Sequence, residues 1–200
     1  MEKNIQFINQ HFDFFVKQYD EKKYPPEIYH TAKKNFSSFT ADEDTIKSAL
    51  EWKWGHVGKP NYPNNHKLLI KVIINEWQNF NKSNHDKKSP DKNFEWWKNK
   101  LGGKSSSRYI TIAFITHLIH NGEIPIIDQH NYRALNFFTN NLSLSNSFKK
   151  RPSNWNDIIK LKQFTDTILP HLNNKNPQDF DKFLMMYGKS IKNTKHEHNI

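Results

Sequence analysis

Two adjoining stretches decide how this chain is read: "SSSRYITIAFITHLIHNG" (Ser105–Gly122) and "GEIPIIDQHNYRAL" (Gly122–Leu135). The first predicts a serine-capped helix that is apolar nearly all round and closed by Gly122. A helix without a polar face belongs at the centre of a domain. The second is an apolar run, opened by Pro125, that ends abruptly in Asp128. Gln129, His130, Asn131, Tyr132 and Arg133 follow it. Two roles suit the acid. It can cap the helix that begins there, or it can be a carboxylate that a mostly buried strap presents to a substrate.

Outward from this segment, apolar residues recur at three- and four-residue spacing, with no sustained strand alternation. Ile5, Ile8, Phe12, Phe15, Val16 and Tyr19 share one helical face before Pro25 and Pro26 break the chain. A short helix is expected over 27–36. Thr40 and Glu43 have capping-box spacing and open a helix through Ile46, Ala49 and Leu50. The breakers of "WKWGHVGKPNYP" end it, and a long helix follows through Leu68, Val72, Ile73 and Trp77. Residues 81–92 read as an exposed polar linker. Ser89-Pro90 then starts a helix that stops at Gly102-Gly103. Further helices are expected over 128–140, 154–169 and 177–192, with residues 193–200 as a disordered tail. The expected fold is all-α, eight or nine helices in one domain spanning 1–192, which the 81–92 linker is able to divide into two lobes.

The chain has 200 residues, 35% hydrophobic and 14% aromatic. Large rings each bury much surface, so few of them suffice for a core. No run of 18 apolar residues and no charged-then-apolar leader occurs, so neither a membrane span nor a signal peptide is expected. Without cysteine there is no disulfide framework and no thiolate zinc site, which fits a reducing, cytoplasmic setting. Thirty Lys and Arg against 20 Asp and Glu leave a net charge of +10. That surplus suits a polyanion, because neutralising phosphates releases counterions. Lys, Asn and Ile recur throughout, so part of the lysine is compositional.

A glycine- and serine-rich turn ("LGGKSSSRY"), a buried helix and a proline-led strap ending in Asp128 together resemble the helix-hairpin-helix DNA glycosylases. That superfamily includes the adenine-mismatch and 8-oxoguanine glycosylases. Gly122, Pro125, Ile126, Ile127, Asp128 and Arg133 match the order of its catalytic loop. "RYITIAF" is similar to the hairpin exit of the adenine glycosylases, with Tyr109 where bifunctional members place lysine. Two departures bear on DNA binding more than on fold: the glycines of "LGGKSSS" come too early for the hairpin consensus, and no cysteine is present for an iron–sulfur cluster.

The resemblance implies a helix-hairpin-helix glycosylase-like bundle that binds double-stranded DNA as a monomer, needs no cofactor and hydrolyses one N-glycosidic bond. A damaged base would mean repair, and a modified base in foreign DNA would mean defence. Asp128 would stabilise positive charge on the sugar or activate water, and Tyr109 would lie near the extruded nucleotide. Lys104, Ser105, Ser106, Ser107, Arg108 and Arg133 are the expected DNA contacts. Gln129, His130, Asn131 and Trp97 would form the base pocket, Trp97 being one of four tryptophans (with Trp52, Trp54 and Trp96) open to a stacking role. Lys104 lies five residues from the nucleophile position, so a monofunctional enzyme is expected. Two alternatives stay open: a non-catalytic DNA-binding module of the same fold, and a metallohydrolase using His117, His120, Asp128 and His130.

Overall fold

The computed structural model describes residues 1–83, 88–102, 106–140, 142 and 151–197, with backbone alone at 106, 107 and 192–197. Among these residues all regular structure is helical. The nine α-helices are α1 (Glu2–Val16), α2 (Pro26–Ser37), α3 (Glu43–Trp54), α4 (Asn64–Lys82), α5 (Pro90–Leu101), α6 (Ser106–Ile119), α7 (Gln129–Thr139), α8 (Trp155–Ile168) and α9 (Pro177–Glu197). A short 3-10 turn, Leu169–His171, extends α8. None of these helices is long and apolar enough to cross a membrane.

The chain divides into two compact units, one of residues 1–19 and 125–200, the other of residues 20–124. The division therefore falls at 19/20 and 124/125, not at the 81–92 linker. Helix α4 runs to Lys82, and α5 starts at Pro90, inside a single unit.

In the unit built from α2 to α6, α6 is the buried axis that its lack of a polar face predicts. Ile112, Ala113, Phe114, Ile115 and Leu118 are all inaccessible to solvent. Thr116, also buried, satisfies its hydroxyl by donating to Ile112 O at 2.9 Å. Trp52 stacks on Phe114 with centroids 5.7 Å apart, and Tyr29 stacks on Trp52 at 5.2 Å. A second cluster joins Phe36, Trp77, Phe80 and Trp97. Burying each such ring contributes roughly 1.5–3 kcal/mol, which is how a chain of low apolar content closes a core.

The other unit packs α1 and α7 on α9, with α8 on α7. Phe12 of α1 stacks on Phe183 of α9 at 5.4 Å, and Phe138 of α7 joins them at 6.2 Å. The Tyr132 hydroxyl donates to Asp157 Oδ1 at 2.9 Å and fixes α8 to α7. Asp157 in turn receives the backbone N–H groups of Ser153 and Asn154.

Two boundaries differ from expectation. Asp42, not Thr40, caps α3, accepting from the Thr45 N–H at 2.8 Å. Thr40 is diverted because its own N–H and hydroxyl both donate to Asn35 O. Helix α9 continues to Glu197, beyond the expected end at Lys192.

Candidate functional site

Asp128 ends the apolar strap as the N-cap of α7. Its Oδ1 accepts the N–H groups of His130 (2.6 Å) and Asn131 (3.0 Å). Asn131 completes a reciprocal capping box, its Oδ1 accepting from the Asp128 N–H at 2.6 Å. The sequence led here because Asp is a preferred N-cap and Ile127, fully buried, pins the residue before it. Two amide donors and the positive end of a helix dipole thus hold one half-buried carboxylate in a fixed orientation.

Asn131 is the hub of this turn. The side chain is 1% exposed, and its Nδ2 donates both to Ile126 O and to Asp181 Oδ1 of α9, at 2.5 and 3.2 Å. It fixes the strap to α9 and does not read a base edge, which corrects its assignment to the pocket. Arg133, one helical turn on, donates through Nη1 to Gly188 O and to His130 Nδ1. Burial pulls its guanidinium below the ordinary value, and the nearby Asp128 charge opposes that pull. Arg133 therefore ties α7 to α9. Beside His130 is the Gln129 amide, 3.4 Å away. Gln129, His130 and Asp128 are partly open to solvent.

The remaining expected residues belong to the other unit. Tyr109, 3% exposed, packs edge-on against Phe94 with centroids 5.5 Å apart. It is a core ring, and the expectation that it meets a nucleotide is corrected accordingly. Trp97 is fully buried, 4.8 Å from Trp96 and 5.1 Å from Phe80, so it offers no face to a base. The error has a common cause: aromatic spacing on a helix does not distinguish a ring in the core from one at its edge. Arg108 donates to the carbonyls of Leu101 and Gly102, at 2.8 and 3.2 Å, so its cation closes the C-terminus of α5. Lys104 and Ser105 lie outside the described residues, as do the side chains of Ser106 and Ser107.

The histidines proposed as metal ligands have other partners. His117 donates through Nδ1 to Ile124 O at 2.6 Å, leaving Nε2 to accept from the Tyr29 hydroxyl at 2.8 Å. Burial drives its pKa down to about 4 and keeps the ring neutral. The Nε2 of His120 pairs with the Asn93 amide at 2.9 Å. No group of three His, Asp or Glu side chains able to hold a metal occurs among the described residues.

Reasoning from sequence missed Asp181 and Gly188. Their partners lie 50 and more residues away in the chain, and no local pattern signals such a pairing. No family model, curated protein or solved structure matches the chain.

Proposed function

We propose that this protein is a monofunctional, helix-hairpin-helix-type DNA glycosylase that hydrolyses the N-glycosidic bond of a damaged or modified base. The observation that carries the reading is the Asp128 carboxylate, anchored by two backbone N–H groups at the mouth of α7 and directly preceded by a buried isoleucine. Departure of a base leaves positive charge on the sugar. A rigid, partly desolvated carboxylate stabilises that charge and orients the water that attacks it, and such electrostatic stabilisation is often the largest contribution to catalysis. The net charge of +10 supports a DNA partner. The enzyme acts as a cytoplasmic monomer without a cofactor.

The rival is a non-catalytic DNA-binding module, and it rests on the same cap: a carboxylate that receives two amides already has a structural role. Incubation with duplexes carrying a panel of damaged and modified bases, followed by alkaline cleavage at abasic sites, separates the two. The glycosylase reading expects cleavage at one class of base, unaffected by chelator. Binding without cleavage on every base supports the module.

A further inference from the structure

The turn joining α3 to α4, residues 55–63, lacks regular backbone structure, yet its side chains interlock. His66, in the first turn of α4, stacks on Trp54 with centroids 4.0 Å apart. His56 stacks on Tyr62 at 4.9 Å. The two imidazoles share a hydrogen bond of 3.0 Å between His56 Nε2 and His66 Nδ1. The Tyr62 hydroxyl donates to Glu51 Oε1 at 2.8 Å. The Nδ1 of His56 is buried within the turn.

Lysines surround this ladder of four rings. Lys59 Nζ donates to Gly55 O at 2.8 Å. Lys67 lies over the Tyr62 ring at 5.3 Å. Lys23 lies over Tyr24 at 5.4 Å, its Cε only 2.4 Å from where a Cβ on Gly55 would be. The acid that faces the group, Glu51, is engaged by Tyr62. Lys23, Lys59 and Lys67 outnumber Glu51 and Asp20, whose Oδ1 accepts the Lys23 N–H at 3.1 Å, and leave a positive surface on a turn that its stacked rings hold in shape.

We propose that this α3–α4 turn is a contact surface for a nucleic-acid backbone, with Lys23, Lys59 and Lys67 meeting phosphates and the stacked rings holding the turn in place. The inference rests on DNA as the partner but not on catalysis at Asp128. Basic residues interleaved with aromatics are the composition that nucleic-acid grooves use, and lysine meets phosphate as a point charge. A membrane surface fits less well, because Val57 is the one aliphatic side chain in residues 55–63 and an interfacial segment needs an apolar face to bury.

Proton linkage adds a second signature. His56 is held below its ordinary value of 6.5 by burial first, then by Lys59 and Lys23, with Glu51 opposing. His66 is lowered by burial and then by His56. A phosphate beside them offsets the cations and favours the protonated rings. Binding should therefore tighten as pH falls through the range in which these rings take up their protons.

The test measures anisotropy of a labelled, unmodified duplex with the full chain, from low to physiological salt. A Lys23→Gln/Lys59→Gln/Lys67→Gln triple variant is compared with a charge-matched Lys98→Gln/Lys160→Gln/Lys162→Gln triple variant, both checked for folding by near-ultraviolet circular dichroism. The first should lose about two to three from the slope of log affinity against log salt, and Lys59→Gln alone about one, while the matched variant keeps the wild-type slope. Equal losses in both triple variants, or an unchanged slope in the first, would overturn the proposal. So would loss of binding to phosphatidylserine vesicles with DNA binding intact. Base excision by the wild-type chain alongside an unchanged slope in the first triple variant sinks this surface alone. Absence of any salt-dependent DNA binding by the wild-type chain sinks both the surface and the glycosylase reading.

Discussion

Gly188, inside α9, lies so close to the His130 carbonyl that a Cβ there would be 1.9 Å from the oxygen and 2.5 Å from the carbonyl carbon. Glycine normally weakens a helix interior by about 1 kcal/mol relative to alanine. Here it lets the first turn of α7 lie directly on α9, where Arg133 also donates to the Gly188 carbonyl. The obstructing atoms belong to the backbone, so no side chain can move aside. Gly188→Ala should therefore destabilise the protein by about 2 kcal/mol or more despite the better helix propensity, measured as a shift in the urea midpoint. An unchanged or raised midpoint would mean that α7 and α9 are not in this contact.

Asn131→Ala removes four interactions at once: the return bond to the Asp128 N–H, the donations to Ile126 O and Asp181, and the packing of a buried amide. Left without a partner, Ile126 O and the Asp128 N–H should cost about 2 kcal/mol in denaturant unfolding. Asp181→Asn keeps a carbonyl acceptor for Asn131 and should cost less than half as much. Equal costs would show that the Asp181 charge, and not the amide, is what stabilises the turn.

His117 sets an acid limit on stability. In the unfolded chain a histidine takes up its proton near 6.5, but in the fold His117 resists protonation until about pH 4. The unfolded state therefore binds more protons between those values, and stability falls as pH drops from about 6.5 to about 4. The contribution of this one ring is on the order of 3 kcal/mol. His117→Gln should unfold more readily at neutral pH but show a slope of stability against pH flatter by up to one proton. Parallel slopes for the two proteins would show that His117 takes up its proton at the same pH in the fold as in the unfolded chain.

The helices were legible because their signals are local. The nearly all-apolar "ITIAFITHLI" had only one place to go, and Ser89-Pro90 and Gly102 marked both ends of α5. Asp128 was legible for the same reason, being a strong cap at the end of an apolar run. What fixes Asp128 was not. The Asn131–Asp181 and Arg133–Gly188 bonds join residues far apart in the chain. Nor does composition reveal the division into units, since the most polar connection, 81–92, lies within one of them. Tyr109 and Trp97 were misread because a ring's chemistry is the same at a surface and in a core. Only packing against Phe94, Phe80 and Trp96 separates the two.

The central claim is that the Asp128 charge does chemistry beyond capping α7. Asn caps a helix about as well as Asp, so Asp128→Asn should keep the first turn of α7 and change stability by less than about 1 kcal/mol. Removing the negative charge takes away what the cationic sugar of the transition state requires. The decisive measurement is the single-turnover rate of base excision by Asp128→Asn, on whichever duplex the wild-type protein cleaves, beside its duplex affinity. A folded, DNA-binding protein with excision reduced about a hundredfold or more is the predicted result. Excision near the wild-type rate would contradict the account and leave Asp128 as a helix cap.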